Sequence, residues 1–173
     1  MARDFTAASS HTVNYGDIGD LGTNKITLAC WAYPDTFATT FGLINKRSAH
    51  NSANAYSMGM GYTSTTRWEL QLGNAANTAV GAAYYATRSE AAGSWYHVCM
   101  TYDGSLSAGS RCAIYINGSS KAVTASTDAN VTPGNAASDL VLARVNNTGS
   151  FYFDGRMAEA AVWDVALSAE EAA

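Results

Sequence analysis

The sequence predicts an all-β domain, a sandwich or barrel built from antiparallel strands. Short segments alternate apolar and polar residues with the period of two that a pleated strand imposes. They recur at roughly ten-residue spacing and are separated by Gly, Asn, Asp and Ser turn signals. A helix signal appears only at the C-terminus.

Trp95-Tyr-His-Val-Cys-Met-Thr-Tyr-Asp-Gly104 and Arg111-Cys-Ala-Ile-Tyr-Ile-Asn-Gly118 form the strongest pair, read as a central hairpin. Asn117-Gly118 supplies the positive φ angles of a two-residue turn. In chain order, Phe5 and His11–Tyr15 read as short N-terminal strand pieces. Ile26–Tyr33 is a strand stopped by Pro34, which cannot continue a central ladder. It places Ile26, Leu28, Cys30 and Ala32 on one face and Thr27, Ala29, Trp31 and Tyr33 on the other. Phe41–Lys46, Ala55–Tyr62, Arg67–Leu72 and Val80–Tyr85 are further strands. Tyr84 and Tyr85 must face opposite ways. Then come a return strand near Lys121–Ala125, a strand over Leu140–Ala143, and Phe151–Gly155 leading into Arg156–Trp163. Ser168-Ala-Glu-Glu171 has the spacing of a capping box and predicts a short C-terminal helical turn. The four tryptophans, Trp31, Trp68, Trp95 and Trp163, match strand positions and are expected in the core or between sheets.

No linker or change of composition divides the 173 residues, so residues 1–173 form one domain. At that length folding buries roughly 70% of the unfolded chain's surface without help from disulfides or metals. The net charge of −4 and the lack of any basic run exclude the usual footprint of a nucleic-acid binder. No stretch reaches about 18 apolar residues, so no membrane insertion is expected. Cys30, Cys99 and Cys112 are expected as small buried apolar groups. A Cys99–Cys112 bridge is disfavoured because alternation points the two thiols to opposite faces.

Four segments together carry a resemblance: Ile26-Thr-Leu-Ala-Cys-Trp-Ala-Tyr-Pro-Asp35, Trp95–Gly104, Ile114-Tyr-Ile-Asn-Gly118, and Phe153-Asp-Gly-Arg-Met157 through Val162–Glu171. Their order and spacing resemble the laminin G-like branch of the concanavalin A-like lectin/glucanase superfamily, from about Phe5 to the end. The resemblance implies a jelly-roll sandwich of two antiparallel sheets, and binding of glycans or proteins. In relatives with a structural calcium, carboxylates near the N-terminal Phe and before the Glu matching Glu159 supply hard oxygen ligands. Here Thr6-Ala7-Ala8 follows Phe5 and Ala158 precedes Glu159. The remaining candidates are Asp4, Asp154 and Glu159, and these departures count against a bound calcium.

The glucanases of the superfamily carry paired carboxylates on one strand, as Glu-x-Asp-x-Glu or with one further residue inserted, because alternate residues share a face. None of the five glutamates (Glu69, Glu90, Glu159, Glu170, Glu171) begins such a motif. There is no Gly-x-Ser-x-Gly elbow and no His-Glu-x-x-His pair. His97 and Asp103 read as architectural. No catalytic residue is assigned and no enzymatic activity is expected.

Sugar sites need planar hydrogen-bonding groups beside aromatic surface, and Asn45–Asn54 is the richest such loop. It nominates Arg47, His50, Asn51, Asn54 and Tyr56 as ligand-binding residues. The expected function is a carbohydrate-binding or adhesion module for a surface glycan or polysaccharide. The alternative is a structural surface protein of a virion, a phage decoration or fibre subunit with capsid or tail proteins as partners. The expected location is extracellular or on a virion surface; no secretory leader is visible after Met1, which suits a particle released by lysis better than a secreted lectin, and a homo-oligomer stays open.

Overall fold

The computed structural model describes residues 1–47, 54–60, 64–74, 80–134, 137–145 and 151–172. Their strands, in order, are β1 (Arg3–Phe5), β2 (Val13–Asn14), β3 (Lys25–Pro34), β4 (Phe41–Arg47), β5 (Asn54–Met60), β6 (Arg67–Gly73), β7 (Val80–Thr87), β8 (Tyr96–Asp103), β9 (Cys112–Ile116), β10 (Ser119–Lys121), β11 (Val123–Thr127), β12 (Leu140–Leu142) and β13 (Gly155–Trp163). They form two antiparallel sheets. A six-stranded sheet has the order β1-β13-β3-β8-β9-β10, and a seven-stranded sheet the order β11-β7-β6-β5-β4-β12-β2. This is an open jelly-roll sandwich, as expected.

The two inner faces meet in one core. Ile26, Leu28, Cys30 and Ala32 of β3 and Val98, Met100 and Tyr102 of β8 face Met58 and Met60 of β5, with Trp68, Leu70 and Leu72 of β6. Each fully buried aliphatic side chain contributes about 1.5–3 kcal/mol. Between the sheets Phe41 meets Phe153 edge-on at 4.9 Å, and Tyr84 lies 5.9 Å from Tyr102. Tyr84 is buried while Tyr85, on the opposite face, is half-buried beneath the Arg67 guanidinium.

The central hairpin pairs β8 with β9, and Asn117 (φ 51) with Gly118 (φ 73) makes the turn into β10. Cys99 packs in a small cluster outside the six-stranded sheet, whereas Cys112 lies against the main core. All three thiols are free.

Two expectations need correction, and a third holds for one turn only. The return strand near Lys121 is two strands: β10 stays in the six-stranded sheet, and from Val123 β11 pairs with β7 in the other. The capping-box bonds form, with the Ser168 hydroxyl donating to Glu171 Oε2 at 2.8 Å, and the Ala172 N–H donates to the Ser168 carbonyl at 3.0 Å, which closes a single turn that does not extend into a helix. The segment instead runs over the six-stranded sheet. The Thr27 hydroxyl donates to the Val165 carbonyl at 2.8 Å and accepts the Leu167 N–H at 2.9 Å, and Ala172 packs against Ala29, Cys99 and Tyr115. Docking onto a sheet, not helix propagation, satisfies this segment. Finally, Trp68 alone of the four tryptophans lies in the core.

Candidate functional site

The ladder of the six-stranded sheet determines which side chains share its outer face. Trp31 is opposite His97 on β8 and Ala158 on β13, and Tyr33 is opposite Arg156. Arg156 is opposite Asp4 on β1. Trp95 directly precedes β8 with the same facing as His97, which continues the Tyr33 row. Two rows therefore cross the sheet: Asp4–Arg156–Tyr33–Trp95 and Ala158–Trp31–His97. Successive rows are two residues apart, about 6.7 Å along the strands. The next row, Ala29–Cys99–Tyr115, lies under Ala172. The C-terminal segment thus covers one part of the face and leaves the two aromatic rows open.

These rows are exposed: Trp31 keeps 38% and Trp95 37% of their surface in solvent. Ring centroids of Trp31 and His97 are 5.3 Å apart, and those of Tyr33 and Trp95 are 5.6 Å apart, nearly edge-on. The Arg156 guanidinium lies over the Tyr33 ring at 3.9 Å, and carboxylates of Asp4 (3.7 Å) and Asp35 (3.9 Å) flank it. Burial lowers the imidazole pKa of His97, and the negative charge of Glu159 opposes that shift. The uncharged imidazole is therefore favoured on this face. Aromatic faces bordered by hydrogen-bonding guanidinium and carboxylate groups can stack on the C–H side of a sugar ring and bind its hydroxyls.

Gly155 sets this geometry. Its φ is 141, and a Cβ there would run into the Tyr33 carbonyl oxygen. Only glycine lets β13 approach β3 at the point where Arg156 reaches Tyr33.

The residues nominated from the Asn45–Asn54 loop lie elsewhere. Arg47 is 1% exposed on the outer face of the seven-stranded sheet. Its Nη1 donates to Gln71 Oε1 at 2.9 Å and Ser57 Oγ at 3.4 Å, and Gln71 Nε2 in turn donates to Glu69. Tyr56 is fully buried in the core, and its hydroxyl donates to the Gly19 carbonyl at 2.9 Å. Both side chains are enclosed, because β4 and β5 are covered on both faces where polarity suggested a solvated loop. Asn54 opens β5 opposite Arg47. His50 and Asn51 fall outside the described residues.

The calcium candidates do not converge. Asp154 Oδ1 accepts the Ala7 N–H at 3.1 Å, Asp4 faces Arg156, and Glu159 (φ 52) sits in the bulge between Ala158 and Ala161. Among the described residues no group of three or more His, Cys, Asp or Glu is placed to hold a metal ion. These donors do not fit a calcium site.

A different concavity, about 280 Å³, runs along the open edge of the sandwich between Tyr15, Ile18, Leu140, Leu142 and Val162. Its lining is almost wholly apolar, without the convergent polar groups that orient a sugar. Among the described residues no helix is long and apolar enough to cross a membrane.

The signal for the aromatic face was present in the sequence. Alternation put Trp31 and Tyr33 opposite Ile26, Leu28, Cys30 and Ala32. A strand has one core face, so the continuous apolar set should have claimed it and left Trp31 outside.

A two-sheet antiparallel sandwich with an open aromatic face defines a lectin-like β-sandwich domain. The family model of laminin G-like domains described as the concanavalin A-like lectin/glucanases superfamily matches residues 7–173, and the chain belongs to that family. No curated protein matches. Solved structures with the same fold include a Bacteroides ovatus protein named as a carbohydrate-binding candidate (21% identity, TM-score 0.68). The alignment covers 92% of this chain and 42% of that one. Domain 4 of AbnA, an extracellular arabinanase of Geobacillus stearothermophilus solved with arabinotriose, is similar at 17% identity and TM-score 0.65, over 99% of this chain and 74% of that one. A heptameric SAP-like pentraxin of Limulus polyphemus is similar at 19% identity and TM-score 0.59, over 87% and 68%. At these identities the likeness is one of fold.

Proposed function

We propose that this chain is a non-catalytic carbohydrate-binding module that holds a surface glycan against the outer face of its six-stranded sheet. One observation carries the reading: Trp31 and Trp95 are exposed on adjacent rows of one face, beside Arg156, Asp35 and His97. An exposed indole on a rigid strand costs solvation without contributing to the core, and it supplies what a pyranose stacks on. The similar domains named for carbohydrate binding, or solved with an arabinose trimer, support the same class of ligand.

A purely binding role is supported by how the interior glutamates are placed. Glu90 is tied to Lys121 and Trp68, and Glu69 accepts a hydrogen bond from Gln71. The bonds from Lys121 and Trp68 favour the ionised form of Glu90, the opposite of the protonated acid that glycoside cleavage needs. Display on a cell envelope or a particle is the setting in which such a module works.

The test is a glycan array probed with the wild-type chain and with Trp31→Ala and Trp95→Ala, alongside an assay for reducing ends released from the bound polysaccharides. Binding that drops about 10-fold or more in each variant, with no release of reducing ends, is expected. Each lost stacking contact is worth about 1–3 kcal/mol, by analogy with base–aromatic stacking. Binding unchanged in both variants, or reproducible hydrolysis, refutes the reading.

A further inference from the structure

Resting on that reading, we infer that the aromatic face takes an internal stretch of an uncharged polysaccharide, at least two consecutive sugar units, and discriminates against acidic glycans and lone terminal sugars.

The length requirement comes from the ladder. The platform has two rungs, not one: Trp31 with His97, and Tyr33 with Trp95 beneath the flanking Arg156. The two rungs stand on the same pair of strands, two residues apart, so their separation is fixed at about 6.7 Å by the strand repeat. A single sugar covers one rung and leaves the other indole in water. Two linked units running along β3 and β8 cover both. The second contact then forms without a further loss of translational freedom, which is why linked contacts gain far more than their separate affinities.

The charge preference comes from what borders the rungs. Asp4, Asp35 and Glu159 contribute three carboxylates against two guanidiniums, that of Arg156, which already lies between two of them, and that of Arg3, which shares an edge pocket with Glu159. Burial keeps His97 from adding a second cation at neutral pH. The chain as a whole carries a net charge of −4. A uronate or sulfated sugar therefore meets repulsion on the face and from a distance. Hydroxyls meet an acceptor-rich rim with a flat donor, the chemistry of an uncharged sugar chain. Trp, Tyr and Arg are also enriched at protein interfaces, so a protein occupant of this face is one of the outcomes the experiment tests.

The experiment is calorimetry on the whole chain with neutral glucan, xylan, mannan and arabinan fragments of one to six units. Polygalacturonate and heparin fragments of matched length are the acidic counterparts. The expected result is a neutral series whose affinity rises at least 10-fold from one unit to two or three and then levels off. Acidic fragments bind at least 10-fold more weakly, with the gap narrowing as salt is raised. Trp31→Ala and Trp95→Ala each remove the length dependence while keeping the wild-type melting profile. Equal affinity for single and linked sugars, or tighter binding of the acidic fragments, overturns this inference and leaves the carbohydrate-binding reading standing. Absence of binding to every fragment overturns both. A dimer in sedimentation that Trp31→Ala dissolves also overturns both, because the face is then the seat of a second copy of the chain.

Discussion

Replacing Glu90 with Gln should cost the fold its acid-dependent stability, because Glu90 is a buried carboxylate with donors from Trp68, Ser89 and Lys121 aimed at it. Trp68 Nε1 donates to Oε2 at 2.9 Å, the Ser89 N–H donates to the same oxygen at 3.0 Å, and Lys121 Nζ reaches Oε1 at 2.6 Å. Burial alone would raise the carboxyl pKa. The hydrogen bonds from Lys121 and Trp68, with those of the backbone, outweigh it and hold the pKa at about 2. The folded value thus lies below the unfolded one. The stabilisation is fully present above about pH 4.5 and is lost as pH falls toward 2. A depression from 4.5 to about 2 corresponds to at most about 3.4 kcal/mol at 1.36 kcal/mol per unit. Lys121 is one-quarter exposed, so water screens part of this, and about 2–3 kcal/mol is the working figure. For a domain of this size that lowers Tm by about 5–10 °C at pH 7. Thermal unfolding followed by circular dichroism from pH 7 to pH 2 is the assay. The two proteins should differ most at neutral pH and converge at the acid end. A Glu90→Gln protein as stable as wild type at pH 7, or one whose Tm falls in parallel from pH 5 to pH 2, would show that the Glu90 carboxylate does not stabilise the fold.

Further predictions follow from other buried groups. The Lys46 side chain is 0% exposed, yet its Nζ meets Asp17 at 2.6 Å, Asp20 at 3.2 Å and the Ser138 carbonyl at 2.8 Å. Denaturant melts should show an asymmetry. Asp17→Asn/Asp20→Asn leaves a buried cation unpaired and costs about 3–5 kcal/mol. Lys46→Met leaves two half-exposed carboxylates that water can solvate and costs less; equal losses would contradict this. Gly155→Ala puts a Cβ against the Tyr33 carbonyl at φ 141 and should cost about 1–3 kcal/mol in the same melts, while an unchanged melt would contradict the close approach. Burial raises the Cys99 thiol pKa to about 11 and raises that of Cys30 further. Without reductant, an aromatic disulfide reagent should find three thiols in denaturant and react slowly with the native chain. Fewer than three thiols after denaturation would reveal a bridge.

The sequence made the sheets legible because alternation is a physical requirement of a half-buried strand. Ile26, Leu28, Cys30 and Ala32 identified an inner face, and the structure places that face in the core. The site was less legible, for two reasons. Tryptophan on a strand fits a core as well as an exposed platform, and only the two sets of β3 residues weighed against each other separate the cases. Polarity was also an unreliable sign of exposure: Arg47 and Tyr56 sit in a polar-looking stretch, but their hydrogen bonds to Gln71, Ser57 and Gly19 allow them to be buried. No local pattern announces such long-range partners. The same holds at Ser168, where the capping box forms its bonds but Thr27 and the cluster around Ala172 decide the conformation.

The most direct test of the account is a two-dimensional NMR titration with the tightest-binding neutral oligosaccharide. With the glycan on the six-stranded sheet, shifts concentrate on the indole N–H signals of Trp31 and Trp95, the His97 imidazole and the Arg156 side chain, while the buried Trp68 indole stays unmoved. Shifts confined to Ser57, Glu69 and Gln71 on the seven-stranded sheet, with the Trp31 and Trp95 signals unchanged, would contradict it.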